Sequence, residues 1–309
     1  MVAGGQMRVG AIDCGTNSLR LLVADIEGNS FREVQREMRV VRLGEGIDRT
    51  KNFSEAALQR TFAGIDEYVT ILRRKGVESL RFCATSASRD AENRAVFIEG
   101  VRERLGIEPE VIPGTEEAAL SFAGATRELS SGPYLVVDIG GGSTEFVYGN
   151  QEVEFAKSVN IGCVRMSERH QLAEFPRREQ IAAAVTDIDA AIAQAAAEVP
   201  LTSGATLIAV AGTATTVAAA AMGLSMYDRD AIHLSRISAD AVAHISEKFL
   251  LMSKAERAAL PYMHEGRVDV ISSGALVLHR VMLATGSKEF VASEHDILDG
   301  IAWSQVTKR

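Results

Sequence analysis

The motif Asp-x-Gly-x-x-Ser occurs twice, and this repeat constrains the fold more than any other feature of the chain. It runs from Asp13 to Ser18 and again from Asp138 to Ser143. A strand-like run flanks each copy on both sides, which is typical of a β-hairpin with a tight glycine turn. Two looser matches follow in the same order, at 83–87 with 210–214 and at 111–116 with 291–294. The repeated order predicts two copies of one domain that face each other across a cleft.

Hydrophobic periodicity indicates an α/β fold for both copies. Apolar residues recur at helical spacing from Leu58 to Leu72 and from Ile181 to Val199, with strand-like runs between the helices. A hairpin followed by alternating strands and helices predicts a partly parallel sheet. Residues 129–133 are small, polar and rich in Pro and Gly, as domain boundaries are. We therefore expect a first domain over residues 1–128 and a second over 129–309, with the C-terminal helix packing back on the first.

Charge, cysteine and hydropathy patterns exclude several classes of protein. The net charge is −8, and a nucleic-acid binder needs a basic footprint instead. Cys14, Cys83 and Cys163 are odd in number and far apart, which fits a reducing compartment without disulfides. The N-terminus has no signal-peptide pattern, so we expect a cytoplasmic protein. Residues 201–227 lack charge but are rich in Ala, Thr, Gly and Ser, which favours a buried strand–turn–helix over a membrane span.

The two glycine turns have the chemistry of an anion site. Glycines allow close approach of a ligand, and successive turn amides can form a nest for an anion. Asp13 and Asp138 at the strand ends offer the carboxylate oxygens that Mg²⁺ prefers. One copy alone fits a tight hairpin in which the Asp caps the turn. Two copies in a duplicated frame favour a site for a phosphate chain and its metal.

Several common catalytic motifs are missing from the sequence. There is no G-x-x-x-x-G-K-[ST], and Glu145 occupies the place of the last glycine that G-x-G-x-x-G or G-x-S-x-G would need. The six histidines show no metal-ligand spacing, which argues against zinc chemistry.

Charged residues at two predicted helix starts are further candidates. Glu116 and Glu117 follow Thr115, and a glutamate there complements the helix dipole, while a second one can serve as a general base. Arg89 also lies where a helix begins, a place suited to bidentate phosphate contact, although an arginine is most often solvated.

Together these motifs resemble the exopolyphosphatase/guanosine pentaphosphate phosphohydrolase (Ppx/GppA) family. The segments that carry the resemblance are 11–21, 84–89, 114–118, 138–145, 160–165, 211–215 and 293–300. The resemblance implies an α/β fold of two ribonuclease-H-like domains, as in actin, sugar kinases and related chaperones, with the site in the cleft between them. It also implies hydrolysis of a terminal phosphoanhydride assisted by Mg²⁺, with Mn²⁺ as the alternative ion.

The resemblance also assigns roles to residues by position. Glu116 matches the general base, and the metal-associated acids are Asp13, Asp138 and Glu145. The phosphate-binding residues are Gly15, Thr16, Asn17, Ser18, Arg89, Gly140, Gly141, Gly142 and Ser143. We therefore expect a cytoplasmic exopolyphosphatase that acts on inorganic polyphosphate or another polyphosphorylated small molecule.

Partners and alternatives complete the expectation. We expect no nucleic-acid or membrane partner, and a homodimer is compatible with the sequence. A guanosine pentaphosphate (pppGpp) phosphohydrolase, a phosphotransferase of the same superfamily and a non-enzymatic actin-like module stay open as alternatives.

Overall fold

The chain folds into two compact units. The computed structural model describes residues 6–306. The first unit ends at Gly124 and resumes at Ile297, and the second runs from Ala125 to Asp296. The chain therefore passes between the units twice, within the helix Gly114–Thr126 and just before the last helix. The domain boundary predicted from the sequence, between 128 and 129, is a few residues later than the first of these two crossings.

The described strands form two sheets, one in each unit. The first contains β1 (Met7–Cys14), β2 (Ser18–Glu27), β3 (Ser30–Val40), β4 (Ser79–Ala84) and β5 (Glu110–Val111). The second contains β6 (Tyr134–Ile139), β7 (Thr144–Gly149), β8 (Val153–Val159), β9 (Thr206–Val210), β10 (Arg236–Ser238) and β11 (Glu289–Ala292).

The two sheets share one topology. The first has the order β3-β2-β1-β4-β5, with β1 antiparallel to β2 and parallel to β4. The second repeats this order as β8-β7-β6-β9-β11 and adds β10 at the edge, antiparallel to β11. A three-stranded meander followed by parallel strands is the predicted ribonuclease-H-like arrangement, so the duplicated α/β fold is confirmed. Because β1 and β6 occupy the same central place, the two Asp-x-Gly-x-x-Ser motifs follow equivalent strands.

The helices of the described chain, in order, are α1 (Ile47–Thr50), α2 (Glu55–Lys75), α3 (Ser86–Asp90), α4 (Arg94–Leu105), α5 (Gly114–Thr126), α6 (Cys163–His170), α7 (Arg178–Ala196), α8 (Ala211–Ala221), α9 (Arg229–Ile232), α10 (Ala239–Leu251), α11 (Lys254–Ala258), α12 (Ile271–Thr285) and α13 (Ile297–Ser304). Helix α2 shows how local signals set the bounds. The Ser54 hydroxyl accepts the Ala57 N–H at its start, and Gly76 ends it with a φ of 64°. None of the described helices is long and apolar enough to cross a bilayer.

Different helices cover the two faces of the first sheet, because side chains alternate along a strand. Ile12 and Cys14 of β1 pack in a core with residues of α2 and α4, including Phe97. Val9 and Ala11 belong to the other core, which contains α13. The second unit has a larger core, in which β6 and β9 pack with α7, α8, α10 and α12. The uncharged stretch 201–227 contributes β9 and α8 to it, as predicted.

Candidate active site

The first glycine turn directs its amides away from the chain that supports it. The Gly15 N–H donates to the Ser18 carbonyl at 3.0 Å and closes the turn. The Thr16 carbonyl accepts from the Gly44 N–H at 2.9 Å, and the Asn17 carbonyl accepts from the amides of residues 41 and 42. In a trans peptide the N–H points opposite to the preceding C=O. The Asn17 and Ser18 amides therefore face away from segment 41–44, as an anion nest requires.

The second turn repeats this construction. The Gly140 N–H donates to the Ser143 carbonyl, also at 3.0 Å. The carbonyls of Gly140, Gly141 and Gly142 all accept from amides in segment 162–165, at 2.9 to 3.2 Å. By the same peptide geometry, the amides of residues 141–143 point to the opposite side. The two copies therefore share an internal hydrogen bond and a row of outward amides, although different segments support them.

Two hydroxyls of these turns have different surroundings. The Thr16 side chain is buried, and its Oγ1 has no hydrogen-bond partner among residues 6–306. Such a group is costly to leave unsatisfied, and a phosphate oxygen beside the turn would satisfy it. The Ser143 hydroxyl instead donates to Glu145 Oε1 at 2.7 Å. The terminal serine of the second motif, Ser143, therefore donates its hydroxyl proton to the Glu145 carboxylate.

Asp138 and Glu145 form a carboxylate pair in the second unit. They are directly opposite each other on the antiparallel strands β6 and β7, and both are buried. Opposed residues of an antiparallel pair share one face of a sheet, so the two carboxylates lie side by side. Ser158 adds a second hydroxyl donor to Glu145 Oε1, at 2.7 Å. Carboxylate oxygens are ligands of the kind that a hard divalent cation such as Mg²⁺ prefers.

Asp13 forms an ion pair with an arginine of the neighbouring strand. It is buried at the end of β1, where Arg20 donates to its Oδ2 through Nε at 2.9 Å and Nη2 at 2.7 Å. Arg20 thus supplies positive charge directly to this carboxylate. All three predicted metal-associated acids, Asp13, Asp138 and Glu145, are buried.

The neighbouring glutamates at the start of α5 point to different partners. Glu116 Oε1 accepts from Arg81 Nη2 at 2.5 Å, and 39% of its side chain is exposed. Arg81 also pairs with Glu110, so Glu116 is part of a partly exposed ionic network. Glu117 is buried, and its Oε2 accepts from Arg89 Nη1 at 2.6 Å.

Glu117 has the electrostatics of a general base. Burial raises the pKa of the Glu117 carboxyl, Arg89 lowers it through its charge and hydrogen bond, and Asp13 raises it again. A carboxylate with a raised pKa is a stronger proton acceptor near neutral pH. The sequence indicated that one of the two glutamates could act as a general base, and the family resemblance assigned that role to Glu116.

Arg89 is the hydrogen-bond partner of the Glu117 carboxylate. It lies on the short helix α3, donates to the Ile112 carbonyl at 3.0 Å as well as to Glu117, and keeps about a quarter of its side chain exposed. If Arg89 contacts phosphate, as the sequence predicted, it would do so through the guanidinium N–H groups that these two hydrogen bonds do not use. The sequence did not predict that Arg20 would pair with Asp13 or Arg81 with Glu116, because lone arginines in strands carry no local signal.

A further arginine that sequence reasoning missed lies where α8 begins. The Arg267 guanidinium is so close to Gly212 that a Cβ there would be 2.5 Å from it, and Nη1 donates to Thr216 Oγ1 at 2.9 Å. Arg267 comes from a 3-10 turn, Glu265–Arg267, that precedes α12. This turn adds positive charge at the start of the helix after β9.

Comparisons with known proteins find similarity to phosphatases of one family along nearly the whole chain. The model of the Ppx/GppA phosphatase family matches residues 22–308. Exopolyphosphatase 2 of Mycobacterium tuberculosis is 43% identical, with 96% of this chain and 98% of that protein covered. A crystal structure of an exopolyphosphatase-like protein has a TM-score of 0.95 at 42% identity, with 98% of each chain covered. A crystal structure of an exopolyphosphatase from Cytophaga hutchinsonii has a TM-score of 0.87 at 26% identity, again with 98% of each chain covered.

Proposed function

The chain belongs to the Ppx/GppA phosphatase family, and from this premise we propose that it is an exopolyphosphatase. It would hydrolyse the terminal phosphoanhydride of inorganic polyphosphate and release orthophosphate. The relatives named exopolyphosphatase, matched over nearly their full lengths, support this substrate. The observation that carries the hydrolytic chemistry is the buried Glu117 beside Arg89, because a phosphatase needs a base for water close to its phosphate site.

Glu117 takes the role of general base in this proposal, in place of its neighbour Glu116. Its carboxylate would accept a proton from the attacking water as the terminal phosphate leaves in line. Glu116 is held by Arg81 in a more exposed ion pair, where its charge is compensated. Arg89 orients the Glu117 carboxylate and presents its other guanidinium donors to a phosphate.

Phosphate binding is assigned to the two glycine turns. The amides of residues 17–18 and 141–143 point away from their supporting segments and can donate to phosphate oxygens. The Thr16 hydroxyl adds a further donor. Because it is buried without a partner among the described residues, a hydrogen bond to phosphate would remove the cost of leaving it unpaired. Backbone amides are fixed before the ligand arrives, so they stabilise developing charge with little reorganisation.

A divalent metal would be held by Asp138 and Glu145. The family is generally metal-dependent, and we propose Mg²⁺ as the ion, with Mn²⁺ as a substitute. The bound ion offsets negative charge on the polyphosphate. Ser143 and Ser158 orient Glu145 for this task through their hydroxyls.

A cytoplasmic location completes the proposal. All three cysteines, which lie within the described residues, are buried and free, as a reducing compartment permits.

Orthophosphate release without an added acceptor tests the function directly. Short and long polyphosphate, pppGpp and ATP are compared side by side with Mg²⁺. The proposal expects the fastest release from polyphosphate. Release from pppGpp alone would identify a guanosine pentaphosphate phosphohydrolase, and release only with an acceptor would identify a phosphotransferase; either result overturns the proposal.

A further inference from the structure

Three side chains with metal-ligating atoms meet on the second unit, outside the candidate active site. Glu128 follows α5, His233 follows α9 and His295 follows β11. Glu128 Oε2 is 3.1 Å from His233 Nε2 and 3.7 Å from His295 Nδ1. The two imidazole rings are tilted by 42° with their centroids 4.5 Å apart. One ligand atom of each residue lies within 4.8 Å of the other two.

This donor set differs from that of the carboxylate pair Asp138 and Glu145. Two imidazole nitrogens and one carboxylate oxygen suit Zn²⁺ and the neighbouring transition metals, whereas carboxylate oxygens alone suit Mg²⁺. The side chains are 55%, 21% and 26% exposed for Glu128, His233 and His295, so an ion can reach them and keep water in its remaining positions. We infer that Glu128, His233 and His295 bind one divalent transition-metal ion, with Zn²⁺ as the best fit.

Hydrogen bonds hold the backbone of His295 and orient the ring of metal-free His233. The Ser293 hydroxyl accepts the His295 N–H at 3.1 Å and donates to the His295 carbonyl at 2.8 Å. His233 Nδ1 accepts the Glu294 N–H at 3.2 Å. Neutral His233 therefore carries its ring proton on Nε2, from which it is donated to Glu128.

Metal binding at His233 has a structural consequence. When a metal takes Nε2, the ring proton moves by way of solvent to Nδ1, where it faces the Glu294 N–H. Two donors cannot share this contact, so the hydrogen bond between the Glu294 N–H and His233 Nδ1 must break. Binding at this site therefore has a local signature at a backbone amide that is not itself a ligand.

The position of the three ligands gives a second signature. Glu128 comes shortly after the chain first enters the second unit, and His295 comes immediately before the last residue of that unit, Asp296. One ion would tie these two segments to the end of α9. A ligand that binds only the folded state raises the thermal midpoint of unfolding.

Isothermal titration of the full chain with Zn²⁺, in excess Mg²⁺ to fill oxygen sites, tests this inference without substrate. The variants are Glu128→Gln, His233→Gln and His295→Gln. His170→Gln is the matched control. His170 also bonds to a carboxylate, that of Asp187 at 2.9 Å, but this pair contains one imidazole and not two. We expect one Zn²⁺ per chain, an affinity weakened by about tenfold or more in each of the three variants, and no change in the control.

Three further readouts keep the test independent of activity and of folding defects. Co²⁺ in place of Zn²⁺ should give a visible absorption band in the wild type that the three variants lack. Zn²⁺ should also shift the amide resonance of Glu294 and raise the thermal midpoint of the wild type. The inference is overturned if the wild type binds no Zn²⁺, if the three variants bind it as tightly as the control, or if the Glu294 amide does not respond.

Discussion

Arg89 donates to Glu117 at 2.6 Å, while the adjacent Glu116 pairs with Arg81 instead. Consecutive residues of a helix are rotated by about 100°, so the two carboxylates face different surroundings. The inner one is buried, and its pKa is raised by that burial against the opposing effect of Arg89. This pairing places the base of the proposed reaction at Glu117.

The acid limb of the pH–rate profile is expected to depend on Arg89. Glu117 works as a base only when ionised, so activity rises as the pH increases through its pKa. Because Arg89 lowers that pKa, Arg89→Met should move the acid limb to higher pH, in addition to any loss of phosphate binding. The measurement is kcat/KM against pH. Arg102→Met, which removes an exposed arginine paired with Glu99, should leave the limb in place; an unmoved limb in Arg89→Met would contradict the assignment.

Gly162→Ala should damage the second phosphate turn. A Cβ at Gly162 would lie 2.3 Å from the Gly141 carbonyl carbon and 2.4 Å from the Gly142 nitrogen, so the turn itself must shift. We expect a loss of stability of about 1–3 kcal/mol and a raised KM for polyphosphate. Gly15→Ala is the control for stability, because its Cβ would meet nothing closer than the Ser18 carbonyl at 3.6 Å. Equal urea midpoints for the two variants would show that the turn is not packed as described.

Asp138→Asn should raise the Mg²⁺ concentration needed for half-maximal activity by about tenfold or more. Removing one charge from the opposed pair with Glu145 leaves a weaker set of ligands for the cation. Mg²⁺ titrations of the reaction rate provide the measurement. Asp189→Asn, whose carboxylate pairs with Arg280, should keep the wild-type requirement. A normal Mg²⁺ requirement in Asp138→Asn would remove this residue from the metal site.

Arg257→Met should destabilise the second unit. The guanidinium is fully buried and donates to the backbone carbonyls of Ala173, Phe249 and Val268. Leaving these acceptors unpaired should lower the free energy of unfolding by about 3–5 kcal/mol. Arg236→Met, at an exposed ion pair with Glu289, should lower it by less than about 1 kcal/mol. Urea denaturation compares the two, and similar losses would refute the role of Arg257.

Much of the fold could be predicted from the sequence because its signals are local. The glycine turns, the apolar strands around them and the caps Ser54 and Gly76 act within a few residues of where they stand. The repeated order of these signals also predicted that both sheets share one topology. The edge strand β10 had no counterpart in the first copy, so the repeat could not indicate it.

The side-chain partners could not be predicted in the same way. The choice between Glu116 and Glu117 depends on where β4 places Arg81 and α3 places Arg89, and nothing in the spacing of the glutamates reports this. The histidine cluster is a second case, since Glu128 and His233 are 105 residues apart in the chain. Spacing motifs detect ligands on one element, and these ligands come from three.

Orthophosphate release from polyphosphate by Glu117→Gln and Glu116→Gln, measured beside the wild type, tests the central claim most directly. Both variants replace a carboxylate by an amide of the same shape, and circular dichroism checks that each is folded. The account predicts that Glu117→Gln loses activity by about a hundredfold or more, as the loss of a general base does, while Glu116→Gln stays within about threefold of the wild type. Near-normal turnover in Glu117→Gln, or the reverse order of the two variants, would contradict it.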